Sequence, residues 1–448
     1  MKRILLPLIL STMAIPLMAQ NVLEQYIEAG LANNLSLKQE NFDLLKSIEA
    51  LKESKGLFLP QLSFSASYNL ARGGRTIDVP VGDLLNPVYG TLNQLTDSQN
   101  FPTALENASE PILPNRFHDT RIELRQPLFN TDIYYNYKAK SSLVSVQQAH
   151  REAYKQELVK EIRKGYYEYL KSLELLAIYD SSETVLIELV EVNRSLVRNH
   201  KATKDAIYNA EFELSDLNGQ IAEAERNRHL AKSYFNFLLN RDLEDTILVD
   251  PAIEFYYGQI GKVEDLQDQA VMGREELLQV RKAKEANEYL LKLNQGTKLP
   301  KFSVGGISGF QGFDYKFDGD QDYSLLQFNL EIPLFTGFQN NAKIQQARIN
   351  VDKIQTQQQA LEKQIRVQVI EGYRNLQAAR KVVLSREQGA KSAAESFRII
   401  RRKYEENQVI LVEYLDARTK FTNSQIALAI ANYDLLIREA ELQRILSL

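Results

Sequence analysis

One short pattern occurs twice in this chain, and it restricts the architecture more than any other feature. Leu59-Pro60 ends a long helical pattern and opens a strand pattern, and Leu299-Pro300 does the same. Further on, Pro127-Leu128-Phe129 closes a second strand pattern, and Pro333-Leu334-Phe335 repeats that ending. Pro60, Pro127, Pro300 and Pro333 are therefore expected at strand–helix borders. A duplicated helix–β-hairpin–helix unit builds by stacking or closing copies.

The N-terminus resembles a secretory leader. Lys2 and Arg3 precede an apolar run from Ile4 to Leu17, and small Ala19 follows. The run is short of the roughly 18 apolar residues of a membrane anchor, so residues 1–19 are expected to be a cleaved signal peptide. The remainder divides into a first repeat over 20–245, a linker over 246–261 and a second repeat over 262–448. The chain has no cysteine, which excludes disulfides, zinc–thiolate sites and a lipidated cysteine. With 54 basic and 58 acidic side chains the formal net charge is −4, which leaves no electrostatic footprint for nucleic acid.

Strands are expected at about 61–71, 118–126, 301–311 and 323–332. Leu62, Phe64, Ala66, Tyr68 and Leu70 alternate with Gln61, Ser63, Ser65, Ser67 and Asn69. That period of two makes one apolar and one polar face. In the second strand Thr120, Ile122 and Leu124 oppose Arg121, Glu123 and Arg125; in the last, Leu326, Phe328 and Leu330 oppose Gln327, Asn329 and Glu331. Strands of about 9–11 residues cross a tilted bilayer span, and charges on the opposite face suit a wet lumen. Four strands do not close a barrel, and lipid tolerates no open edge. If these strands span a membrane, several chains share one barrel. The long link 72–117, with Pro80, Pro87, Pro102, Pro111 and Pro114, then becomes an extracellular loop that either caps the mouth or decorates the surface.

The helical segments are too long for a globular core. Ile365, Val369, Gly372, Leu376, Ala379 and Val383 alternate spacings of four and three, and the series continues through Arg386 and Phe397 to Tyr404. This is the seam of helices packed as a coiled coil. A second stripe runs from Val412 through Thr422 and Tyr433 to Ala440. At about 1.5 Å per residue, a helix of ~65 residues spans ~100 Å. The heptads break near 199–203 and 405–410, read as tips of helical hairpins turned at His200 and Asn407. Pro127 to Ala210 spans 83 residues and Pro333 to Ala417 spans 84, so the two repeats keep the same reach.

Chemistry-bearing motifs are sparse. His118, His150, His200 and His229 have no metal-binding spacing, and there is no phosphate-binding loop. Gly305, Gly306 and Gly309 lie in a strand pattern and point to close packing rather than a nucleotide site. No catalytic residue, metal or cofactor is expected. Glu413 and Asp416, three apart, share a helix face just past the second tip. In a symmetric oligomer each would become a ring of carboxylates that attracts cations.

Taken together, the Leu-Pro and Pro-Leu-Phe borders, the segment Tyr404 to Ala417, and the start Val22-Leu23-Glu24-Gln25-Tyr26 with Asn33-Asn34-Leu35 resemble the TolC-type outer-membrane efflux protein family. The resemblance implies a homotrimer in outer-membrane lipid. Its shared 12-stranded β-barrel would carry four strands from each chain and continue into a coiled-coil α-helical tunnel through the periplasm. It implies a passive exit duct working with a periplasmic adaptor protein and an inner-membrane pump. It places Glu413 and Asp416 at an acidic constriction and Tyr404 at the gate. Val409 stands where some members carry an arginine, and Ala206 and Asn209 are the first-repeat counterparts of the two acids. The alternatives from other classes are an exported coiled coil without a pore, or the same fold serving protein secretion or metal efflux.

Overall fold

The computed structural model describes residues 22–250 and 261–447. The expected leader over 1–19 and residues 251–260 of the expected linker lie outside the described residues. In chain order the elements are α1 (Val22–Asn33), α2 (Leu35–Gly56), β1 (Gln61–Asn69), β2 (Thr76–Val79), α3 (Val81–Leu95), β3 (Ala108–Pro111), β4 (Phe117–Phe129), α4 (Thr131–Arg198) and α5 (Lys204–Leu238). There follow α6 (Val263–Gly273), α7 (Glu275–Gly296), β5 (Lys301–Phe313), β6 (Asp322–Glu331), α8 (Gln339–Glu405) and α9 (Leu411–Leu446). The chain divides into two compact units, Met1–Glu49 with Ser141–Ala286 and Asn350–Leu448, and Ala50–Lys140 with Asn287–Ile349.

The second unit holds the sheet. Its order is β1-β4-β5-β6, with every neighbouring pair antiparallel. The register lines up the alternation in each strand. Phe64 pairs Ile122, which pairs Ser308; Leu124 pairs Gly306, which pairs Leu326. One face therefore carries Leu62, Phe64, Ile122, Leu124, Leu326 and Phe328. Leu62 and Phe64 are each 70% exposed, so none of the described residues covers this face. The other face carries Asp119, Arg121, Glu123 and Arg125. There Arg121 Nη1 donates to Asp119 Oδ2 at 2.7 Å and Tyr323 Oη donates to Asp119 Oδ1 at 3.1 Å. The outer strands β1 and β6 each leave one edge open in the single chain.

One border expectation and the expected loop need correction. Pro60 and Pro300 do sit immediately before β1 and β5, and Pro333 lies beyond β6. Pro127 lies inside β4, where the register with β5 shifts between Pro127 and Phe129. The last residue of β4 paired to β1 is Arg125, so Pro127 removes no hydrogen bond from that side, and a bulge tolerates the missing donor. The link 72–117 is also not an irregular loop. It contains α3 and a small hairpin of β2 and β3. Asn86 Nδ2 donates to the Leu105 carbonyl at 2.9 Å and Asn86 Oδ1 accepts from Leu105 N at 2.8 Å. Asn93 grips Phe101 through the same pair of bonds, at 2.8 and 3.0 Å. These amides strap residues 101–105 along α3 and hold the helix in spite of Pro87 within it.

The glycine cluster of β5 resolves into one necessary glycine. A Cβ on Gly309 would stand 2.3 Å from the Thr120 carbonyl oxygen and 2.6 Å from Arg121 Cα, whereas Gly306 has nothing within 4 Å. Backbone does not yield as a flexible side chain does, so Gly309→Val is expected to lose folded protein by about 1–3 kcal/mol and Gly306→Val to be tolerated. Heat-modifiable migration in gels, compared for the two variants, checks this.

In the helical unit the expected stripe on α8 is buried at Ile365, Val369, Leu376, Val383, Phe397 and Tyr404. Arg386 breaks it and is exposed. On α9 the stripe is only half of the packing. Tyr433 and Leu436 join a core with Tyr26, Ile162, Tyr166 and Phe235. Ala431, Leu435, Leu442 and Leu446 join another with α6, α7 and α8. Helix α9 is thus buried on two sides, while Val412, at the start of the expected stripe, is 65% exposed. Asn34 joins the N-terminal helices to this core. Its Oδ1 accepts Leu37 N at 2.9 Å as an α2 cap, and its Nδ2 donates to the Leu238 carbonyl at 2.9 Å.

One ion network spans α4, α7 and α9. Glu276 accepts Arg274 Nε at 2.8 Å and Arg444 Nη2 at 2.7 Å, and Arg444 Nε donates to Glu157 at 3.1 Å. Burial alone would push the Glu276 carboxyl up, but the two guanidinium groups outweigh it and hold it at about 2. A carboxyl depressed in the folded state contributes stability above its ordinary value and loses it as pH falls toward the folded one. Glu276→Gln is therefore expected to lower the denaturant midpoint at pH 7. The gap should close as pH drops from 4.5 toward about 2, which a pH series of urea titrations reads directly.

Candidate functional site

The expected site lies at the two hairpin tips, both in the helical unit. Each tip turns in the same way. His200 has φ 59° and Asn407 φ 58°. Lys201 N donates to the Leu196 carbonyl at 2.8 Å and His200 N to Val197 at 3.1 Å; Gln408 N donates to Lys403 at 2.8 Å and Asn407 N to Tyr404 at 3.0 Å. These paired bonds close a helix C-terminus around one left-handed residue. Asn accepts that conformation readily and a β-branched side chain does not. The following helices begin at extended Thr203 and Ile410, neither with a side-chain cap.

Behind the turns lies a four-helix core. Leu186, Leu189 and Val190 of α4, Ala210 and Leu217 of α5, Phe397 and Tyr404 of α8, and Tyr414 and Ala417 of α9 meet there. Tyr404 belongs to this core and is 8% exposed. Its Oη donates to Asn193 Oδ1 at 2.7 Å, and Asn193 Nδ2 donates to the Leu189 carbonyl at 2.9 Å. The Tyr404 and Tyr414 rings are 4.9 Å apart. Burial pushes the Tyr404 phenol up, with the Asn193 bond opposing it. The hydroxyl is thus engaged within its own chain and ties α8 to α4.

Glu413 and Asp416 stay on the exposed face of α9. They line a groove of about 420 Å³ with Ser392, Ser396 and Ile400 of α8, and with Lys420. Lys420 Nζ donates to Asp416 Oδ2 at 2.7 Å, one helical turn on. Sequence reasoning missed this lysine, although acid-to-lysine spacing of four is a standard helix pair. Glu413 therefore carries the uncompensated negative charge of the groove. Val409 packs against the tip core. In the first repeat Ala206 is buried and Asn209 exposed, so that tip adds no acid to match.

A second missed residue is Arg418, 5% exposed. Its guanidinium bonds Ser182 Oγ and lies 3.6 Å from Glu213, while Ser182 Oγ and Thr422 Oγ1 are 3.1 Å apart. Burial pushes this guanidinium down and Glu213 opposes it. The charge joins α4, α5 and α9 just behind the acidic groove. Nothing in its spacing separates it from a surface arginine. Among the described residues no group of three or more His, Asp or Glu is placed to hold a metal ion, and no helix is long and apolar enough to cross a membrane.

A family model described as outer membrane efflux protein matches residues 266–447, the span from α6 to the end of α9. The chain is also 20% identical over 462 residues to outer membrane protein TolC of Salmonella enteritidis, covering 98% of this chain and 84% of that one. The chain is thus similar to outer membrane efflux proteins over residues 266–447 and to TolC over nearly its whole length. Its fold is shared with two solved structures. One is the Vibrio cholerae outer membrane protein VceC (TM-score 0.74, 15% identity, 95% of each chain). The other is the Neisseria gonorrhoeae MtrE outer membrane channel (TM-score 0.76, 13% identity, 95% of this chain and 89% of that one). The tip turn carries a direct expectation. Asn407→Val should destabilise the tip by about 1–2 kcal/mol, and Asn407→Gly should be neutral or better. Proteolytic nicking near 405–410 is expected to rise only in the valine variant.

Proposed function

We propose that three copies of this chain form one outer-membrane channel, a passive exit duct for substrates loaded by an inner-membrane pump through a periplasmic adaptor. The observation that carries this reading is the four-stranded sheet with an uncovered apolar face and two open edges. Unpaired backbone groups are not tolerated in hydrocarbon. Joining β1 of one copy to β6 of the next removes both edges, and three copies supply twelve strands. Each repeat, 20–245 and 262–448, gives two sheet strands and one helical hairpin, and the hairpins build a periplasmic tunnel with the tips at its inner mouth. The apolar row then faces lipid, and the row of Asp119, Arg121, Glu123 and Arg125 lines a wet lumen. Transport rather than catalysis follows, driven from outside the chain by the pump.

At the tunnel mouth Glu413 supplies the acidic ring, Asp416 is partly neutralised by Lys420, and Tyr404 holds the tip closed through Asn193. Purified protein in planar bilayers tests the whole reading. Discrete conductance steps with cation-selective reversal potentials are expected in a salt gradient. Glu413→Ala should lower that selectivity and Lys420→Ala should raise it. Absence of any conductance rejects the pore in favour of an exported coiled coil, and unchanged reversal potentials in both variants reject the acidic ring.

A further inference from the structure

Helix α3 presents a packing seam that the described residues leave uncovered. Leu84, Val88, Thr91 and Leu95 recur at spacings of four, three and four, the a/d pattern by which one helix packs along another. All four are on the exposed side, with Leu84 65%, Val88 51% and Leu95 78% exposed. The opposite side of α3 is already occupied, since Asn86 and Asn93 hold the 101–105 strap and the Tyr89 ring lies 5.7 Å from Phe101. Thr91 Oγ1 donates to the Pro87 carbonyl at 3.0 Å, which satisfies its one polar group within the helix. Of the fifteen residues in α3, only Asp83 is charged.

We propose that this seam is filled by α3 of neighbouring copies of the same chain, so that the three helices close together over the outer mouth. The proposal rests on the shared barrel described above. Two observations choose a second copy over other occupants. The α3 lobe follows β1 with only the short β2 between them, and β1 is an edge strand of the sheet, where the proposed barrel joins the next copy. Around a closed rotation axis identical seams face equivalent partners. The absence of lysine and arginine from α3 argues against an anionic lipid surface, which draws on basic residues flanking the apolar stripe. Depletion of charge around exposed leucines is instead the composition of a protein–protein contact core. Topology puts this contact at the end of the sheet opposite the strand–helix borders. There a three-helix contact narrows the exit independently of the tips.

The chain has no cysteine, so single thiols report cleanly. Val88→Cys is expected to convert most of the monomer band into a disulfide-linked dimer when outer membranes are oxidised. Glu106→Cys, on the far side of the strap, should remain monomeric. In planar bilayers the oxidised Val88→Cys channel should lose conductance and recover it with reductant. If the trimer persists on native gels yet Val88→Cys links no better than Glu106→Cys, the α3 contact is overturned while the barrel stands. A spin label at Val88→Cys that proves accessible to lipid-borne relaxant overturns it likewise, in favour of a membrane surface. Wild-type protein that forms no trimer removes the barrel itself and the contact with it.

Discussion

The rest of this architecture depends on the unpaired backbone of two edge strands. A sheet of β1, β4, β5 and β6 exposes Leu62, Phe64, Leu326 and Phe328 on one face and ends in open edges at β1 and β6. In water the apolar face invites aggregation, and in lipid the open edges are the more costly defect. In the proposed assembly lipid takes the face and other copies take the edges. The duplicated borders, the length of the helices and the placement of acids near the tips acquire a function only within that assembly.

Packing in the helical unit is arranged around α9. It contributes Tyr433 and Leu436 to one core and Leu435 and Leu442 to another, which makes it the element that both halves of the repeat share. Near its C-terminus Arg444 bridges Glu157 and Glu276. Near its N-terminus Arg418 reaches Ser182 and Glu213. Charge is therefore used at both ends of α9 to fix which helices lie beside it. Removing one partner of such a buried pair leaves the other uncompensated, which is the destabilising step. Around the Arg418 anchor Glu413, Asp416 and Lys420 remain on the surface.

Periodicity made the main elements legible before any coordinates. Alternation in 61–70 and 323–332 and the heptads of 365–404 each correspond to an observed strand or helix. What escaped is instructive. Helix α3 was hidden by Pro80, Pro87 and Pro102, because proline is ordinarily read as a breaker and the amides that strap the helix act across 8 to 19 residues. Lys420 was legible from its spacing of four to Asp416. Arg418 was not legible, since burial of a charge depends on a serine and a glutamate from two other helices.

The chain by itself determined its periods. Residues separated by two or by three and four fall on common faces through backbone geometry alone, and the repeated Leu-Pro junctions show that the pattern occurs twice. Only the tertiary structure decided which faces meet. It set the register that aligns Phe64 with Ile122 and Ser308, buried α9 on two sides, placed the Tyr404 hydroxyl on Asn193, and left the α3 seam uncovered. These outcomes turn on contacts between residues distant in the sequence, where local pattern supplies candidates and the fit of volume, charge and hydrogen bonds selects among them.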